Sequence, residues 1–430
     1  MVDLKTHDAR GLHSLRRLLK WGALALLPLV FFAVTRDSLR LNPAQQAASP
    51  YLYDLVFWQA TNFFDKWYHR VERALPWRSI STEDERLKLD AYFQAVNELS
   101  VIQGELNRIE REGVGAQVTV AELEESADEV MESLDRLRND VEETLEATIS
   151  SVVREEGIGF WVFLLPPVDI RLTNTPKLLV TSPRDRILRT HDVLLEPGLE
   201  IDEREQVEEE LLDDSNLSAV VLDIGGLATY PASIPSGRDL ERTLDIAAHE
   251  WLHHYFFFKS LGQNMFNSDD MQVLNETAAD IIGGEIGRRA FVKLGGMPRD
   301  ASEDGGADPE EGATDGDDGF DFNEEMQKTR LRVDELLEEG KIEEAEAYME
   351  ERRLVFEEHG FHIRKLNQAY FAFHGTYADS PSSVSPIGDQ LHEMHELVPD
   401  LGDFIDTVSG MSSYEEFLNV LAGLRAPALP

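Results

Sequence analysis

The sequence contains no cysteine. Disulfide staples and thiolate metal sites are therefore excluded, and a metal would have to be held by imidazole and carboxylate. Positive charge is scarce: 40 Lys and Arg against 82 Asp and Glu leave 40 − 82 = −42. So acidic a chain repels phosphate backbones, which argues against a nucleic-acid partner and reads first as a source of solubility. Long apolar runs are missing, with one exception near the N-terminus. The 430 residues suffice for a sizeable core and for two or three structural units.

The exception spans residues 21–34 and includes Leu24, Leu26, Leu27, Leu29, Val30, Phe31 and Phe32. Basic residues precede it: Lys5, Arg10, Arg16, Arg17 and Lys20. Leu18 and Leu19 extend it to the lower edge of a membrane-spanning length, and Thr35-Arg36-Asp37 makes a poor signal-cleavage site. The expectation is an uncleaved, single-pass signal anchor over residues 18–35 in the cell membrane. Residues 1–17 would be cytoplasmic and the remainder extracytoplasmic. Residues 36–81 form a juxtamembrane segment rich in aromatics, among them Tyr51, Tyr53, Phe57, Trp58, Phe63, Phe64, Trp67 and Tyr68. At helical spacing this stripe reads as core, with the membrane interface as the alternative.

Residues 82–156 carry two long, charge-rich helical patterns separated by Gly113-Val114-Gly115. Leu123, Ala127, Val130, Leu134, Leu137, Val141, Leu145 and Ile149 recur at threes and fours in the second, predicting an antiparallel hairpin with a coiled-coil-like seam. From residue 157 the pattern turns to β, with strands expected at 160–165, 177–181, 192–195 and 217–223. Residues 300–322 are an acidic, low-complexity run including Asp315-Gly316-Asp317-Asp318. It lacks both apolar residues and the full EF-hand pattern, and so reads as a disordered loop. A second helical hairpin is expected over 323–360, broken at Glu339-Gly340-Lys341, and residues 361–430 close the chain with helical character.

The chemistry concentrates in His249-Glu250-Trp251-Leu252-His253. Residues four apart on a helix share a face, so the two imidazoles can address one metal ion, and no proline or glycine interrupts residues 242–258. A second segment, Asn275-Glu276-Thr277-Ala278-Ala279-Asp280, lies in another predicted helix over 271–286, with Glu276 and Asp280 again four apart. A catalytic zinc takes three protein ligands and keeps one position open; His249, His253 and Glu276 supply the three for one Zn2+. Asp280 can orient His249 through its second ring nitrogen. Glu250, one residue along the helix, is placed as the general base for a water that such an ion would acidify.

This pairing of H-E-x-x-H with N-E-x-x-x-D resembles the gluzincins, the thermolysin-like metallopeptidases, residue for residue over about 243–286. The segment around Asn367 and Tyr377 is similar to the C-terminal part of a family of predicted bacterial membrane-associated aminopeptidases. The resemblance implies an α+β fold: a zincin-type catalytic domain (157–299) with a small sheet and active-site helices, to which the helical hairpins and the N-terminal membrane helix are added, with 361–430 completing the site. It implies Tyr377 and His374, with Tyr370 behind them, as stabilisers of a developing oxyanion. It also implies an edge strand over 226–230 that binds substrate backbone through Gly226, Ala228 and Tyr230. The expected activity is hydrolysis of peptide bonds in a peptide or protein, aminopeptidase slightly ahead of endopeptidase. The alternative is a silent zincin-fold scaffold working through its hairpins, against which the presence of Glu250 argues.

Overall fold

The computed structural model describes residues 41–73, 82–112, 117–159, 164–297 and 320–426. The expected anchor at 18–35 and nearly all of the acidic loop lie outside the described residues. Among those described, no helix is long and apolar enough to cross a membrane.

In chain order the elements are α1 (Pro43–Ala47), α2 (Leu55–Arg73), α3 (Thr82–Glu112), α4 (Gln117–Glu155), β1 (Ile170–Thr173), β2 (Lys177–Pro183), β3 (His191–Leu195), α5 (Ile201–Ser215), β4 (Leu217–Asp223), β5 (Ala232–Pro235), α6 (Leu240–Phe257), α7 (Ser260–Gln263), α8 (Asp269–Lys293), α9 (Phe322–Glu338), α10 (Ile342–Glu358), α11 (Gln368–His374), α12 (Ile387–Leu397), α13 (Leu401–Ser409) and α14 (Tyr414–Arg425). The architecture is mixed α+β and predominantly helical. One antiparallel sheet has the order β3-β2-β4, and a second is the parallel pair β1-β5.

Three of the expected strands form as β2, β3 and β4. The fourth, at 160–165, falls mostly outside the described residues, and of its described part Leu164 and Leu165 are not in a strand. The short strands β1 and β5 take the role nearest the motif helices instead. The free edge of β1 is sealed by side chains: Glu146 accepts from the Ile170 amide and Glu142 from the Leu172 amide, at 2.9 and 2.8 Å. Both carboxylates come from α4, one turn apart, so this helix supplies the partners that a third strand would otherwise provide.

Helices α3 and α4 form the expected antiparallel hairpin. At its outer end Ile102, Ala127 and Val130 pack with Leu99, Leu106 and Leu123. Its base does not stand apart: Val141, Leu145, Ile149, Val152 and Val153 belong to the main core with β1, β5, α6, α8 and the closing helices α12–α14. Trp251, Phe256, Phe404 and Phe417 are fully buried there, and the Trp251 indole N–H donates to the Pro166 carbonyl at 3.0 Å. Helices α9 and α10 form the second hairpin; its first helix is capped by Asp321 and begins at Phe322, so the last residues of the expected acidic loop are ordered. Helix α11 lies on the three-stranded sheet, its Ala369 and Phe373 against Leu178, Val180, Val220 and Leu222.

The aromatic stripe of α2 departs from the expected core placement. Val56, Phe57, Phe64 and Tyr68 are exposed, whereas Lys66 is buried.

Candidate metal centre

Helix α6 starts at Asp239, whose carboxylate accepts from the Arg242 amide, and α8 starts at Ser268, whose hydroxyl accepts from the Met271 amide. These caps fix where each helix begins, and hence which face each ligand occupies. The two helices cross closely because α8 presents Gly283 and Gly287 to α6. A Cβ at Gly283 would stand 2.9 Å from the His249 Cα, and one at Gly287 would stand 2.7 Å from the Asp245 Cα. Any larger residue there forces the helices apart.

At this crossing His249, His253 and Glu276 converge. His253 Nε2 is 3.1 Å from His249 Nε2. Glu276 Oε2 is 3.4 Å from His253 Nε2 and 3.7 Å from His249 Nε2. Tetrahedral ligands about 2.1 Å from a zinc ion are about 3.4 Å from one another. The three separations match the edges of one such face, with the fourth vertex left towards the cleft. Among the described residues this is the one group of three side chains able to hold a metal.

Asn275 Oδ1 lies 3.0 Å from His253 Nδ1 and accepts its N–H, which leaves Nε2 free to ligate. Asp280 Oδ1 is 3.8 Å from His249 Nδ1, beyond hydrogen-bond reach, so it faces that imidazole as a charge. Burial alone would lower the pKa of His253, but the Glu276 charge and hydrogen bond hold it up at about 9. Glu276, although buried, is held well below the usual carboxylate range by His253 and His249. A donor set of two imidazoles and one ionised carboxylate suits zinc.

Glu250 is buried beside the ligands, and burial raises its pKa, partly offset by the two histidines. Gly226 makes room for it: a Cβ at that position would meet Glu250 Oε1 at 2.4 Å. The expected strand over 226–230 is shortened to one bridge, in which Leu227 exchanges both backbone hydrogen bonds with Ser233 of β5 at 3.0 Å. The chain then turns, the Thr229 amide donating to the Leu227 carbonyl at 2.7 Å. Gly226 and Ala228 flank the bridge and line the cleft, where successive residues of an extended backbone point their hydrogen-bonding groups alternately. Tyr230 does not line it and packs its ring on His254 instead, 5.5 Å between centroids.

The cleft has a volume of about 1920 Å³ and takes in His249, Glu250, His253, Glu276, Asp280, His374 and Tyr377. Helix α11 brings His374 and Tyr377 there from the three-stranded sheet, and the Ala378 amide donates to Thr277 Oγ1 at 2.9 Å, tying this segment to the residue after Glu276. The Tyr377 ring lies 6.4 Å from that of His249. Burial, with the Glu276 charge, pushes the Tyr377 hydroxyl well above its ordinary pKa, so it remains a donor. Burial, with Arg189 nearby, lowers His374 to about 4, so it is neutral at physiological pH. Its ring packs on Tyr370, 4.1 Å between centroids.

Sequence reasoning passes over two contributors. Arg189 reaches the cleft from the loop before β3, held by Asp192 at 2.7 Å and lying over the Phe373 ring at 5.1 Å. Nothing in its local sequence marks it. The cleft rim carries Phe257, Phe258, Met265 and Phe266, the three phenylalanines exposed. Here a signal was present, because Phe257 stands four residues beyond His253 on the same helix face.

Comparison of the chain with protein-family models, with curated proteins and with solved structures finds no match.

Proposed function

We propose that the chain is a zinc-dependent peptidase of the gluzincin type, anchored by residues 18–35 with its cleft on the extracytoplasmic side. The observation that carries the reading is the convergence of His249, His253 and Glu276 at tetrahedral spacing, with Glu250 buried alongside and open to the same cleft. A zinc ion held by these three residues would supply a Lewis acid that polarises a carbonyl and acidifies a water.

The chain's own residues do the rest. The raised pKa of Glu250 brings its carboxylate closer to the operating pH, where it can take a proton from the attacking water and return it to the leaving amine. Gly226 and Ala228 offer backbone groups to an extended substrate beside that carboxylate. The Tyr377 hydroxyl donates to the oxygen on which charge develops, with neutral His374 behind it; removing such a donor costs about 100- to 1,000-fold in kcat. The exposed phenylalanines at the rim suit an apolar substrate side chain next to the scissile bond. Asp245, Asp280 and Asp379 in the cleft wall suit a substrate amino terminus, which supports aminopeptidase action.

The test is a mass-spectrometric digest of a mixed peptide library by the zinc-loaded protein, with Glu250→Gln as control. Cleavage that falls about 100- to 10,000-fold in the variant is the expected result. Residues released singly from amino termini would establish the aminopeptidase, and internal cuts the endopeptidase. Zinc bound at one equivalent with no Glu250-dependent cleavage would overturn the reading in favour of the scaffold.

A further inference from the structure

Helix α2 is built inside out for a helix packed on a protein core. Val56, Phe57, Phe64 and Tyr68 are 77%, 68%, 71% and 72% exposed, and Phe63 is 36% exposed. Val56 and Phe63, and likewise Phe57 and Phe64, are seven apart and Phe64 and Tyr68 four apart, so they share one side of the helix. Lys66 points inward, 3% exposed. It meets Glu142 at 3.4 Å, Asp169 at 3.1 Å and Glu146 more closely, and it donates to the Ile170 carbonyl. Its neighbour Asp65 pairs with Arg171 at 2.8 Å.

These ion pairs fix the roll of α2. Turning its aromatics inward would drag Lys66 away from the three buried carboxylates it meets, at a cost of several kcal/mol. The outward aromatic face is therefore a built feature. It is also uncharged: between residues 55 and 68 the charged side chains are Asp65 and Lys66, both engaged with the protein, in a chain carrying −42 overall.

We propose that this face of α2 lies on a lipid bilayer, in the interfacial plane, beside the point where the chain leaves the membrane. The bilayer is the occupant favoured because the one long apolar run of the sequence, residues 21–34 with its basic flank, precedes α2 by about twenty residues. Phenylalanine and tyrosine are the side chains that partition to the headgroup boundary, and a face without free charge meets no desolvation penalty there. The contact would fix the height and tilt of the cleft above the membrane. The proposal rests on the anchor reading but not on the peptidase reading.

The absence of cysteine makes the test clean, since any introduced thiol is the sole labelling site. The full chain carrying Phe57→Cys, Phe64→Cys or, as a water-exposed control on α10, Glu358→Cys is labelled with a fluorophore and reconstituted into phosphatidylcholine vesicles with or without brominated acyl chains. Flotation first reports whether the protein is anchored at all. Labels at 57 and 64 are expected to lose fluorescence in brominated vesicles and to escape aqueous iodide, while the label at 358 does the opposite. Protein that floats with both α2 labels open to iodide would overturn this proposal and leave the anchor standing. Labels shielded from iodide and from brominated lipid alike would overturn it in favour of a protein cover, such as residues 1–40 of the chain. Protein that fails to float would overturn the anchor and this contact together.

Discussion

Two clusters of buried ionisable groups lie in the same core, and they are finished differently. Around Lys66 the carboxylates of Glu142, Glu146 and Asp169 close on an ammonium that the chain itself supplies, with Arg171 adding a second cation near Glu142 at 3.5 Å. Around Glu276 the chain supplies two imidazoles and a carboxylate aimed at one point, and among the described residues no lysine or arginine forms an ion pair with Glu276. The first cluster is self-sufficient and joins α2, α4 and β1. The second, on the proposed reading, is completed by a cation from outside the chain. Buried charge serves structure where the counter-charge is covalently part of the chain, and function where it must come from outside.

The sharpest way to break this contrast is to remove one cation. Lys66→Met keeps length and apolar bulk but leaves three buried carboxylates without their ammonium. It should cost about 3–5 kcal/mol of stability, the usual scale for stripping one partner from a buried ion pair. Urea denaturation of the variant against the parent measures it. By contrast, His253→Gln leaves His249 beside Glu276, so in the metal-free protein it should cost clearly less than Lys66→Met, while zinc binding is lost. Equal losses of stability in the two variants would show that both clusters are structural.

The contrast also explains what could be read from the sequence. The candidate metal centre is legible because its residues sit at fixed helical spacings, 249 with 253 and 276 with 280, and spacing along a helix is spacing in space. The helical patterns over 242–258 and 271–286 place the starts of α6 and α8 within two residues, while α8 runs on to Lys293. The Lys66 cluster is illegible, because its members come from three elements separated by as many as 104 residues. A lysine among aromatics gives no sign of which carboxylates will reach it. Strands β1 and β5 escape for a related reason. Each is four residues long, and β1 contains Arg171, which is buried only because Asp65 and Asn139 meet it at 2.8 and 2.7 Å. The expected strand at residues 226–230 fails locally, since the turn at Thr229 ends it after one bridge.

A smaller effect probes how the second cluster is held ready. Asn275 fixes His253 through Nδ1. Asn275→Ala should weaken zinc about 10- to 100-fold, the scale for outer partners of metal-bound histidines, with little change in fold. Competition against a fluorescent chelator would measure it. Asp280→Ala is the internal comparison: its carboxylate stands 3.8 Å from His249, too far to orient the ring by a hydrogen bond, and should matter less. A larger loss at Asp280 than at Asn275 would mean that charge, not ring orientation, governs affinity.

The last difference between the clusters is their response to protons. Lys66 keeps its proton at every physiological pH, because its three carboxylates outweigh the burial that opposes the charge. In the metal-free protein His253 also holds a proton up to about pH 9, against an ordinary imidazole value near 6.5, because Glu276 favours the charged ring. That proton occupies the position proposed for the ion, and a binding zinc would have to displace it. Glu276 is already ionised far below neutrality and does not compete. Between about pH 7 and 9 zinc affinity should therefore rise about tenfold per pH unit, from this one proton alone, and level off above. Calorimetry in buffers of different ionisation enthalpy should count about one proton released per ion at pH 7.5. Release of none would mean that His253 is neutral in the empty site, and that the two clusters share a chemistry of buried charge only when the ion is bound.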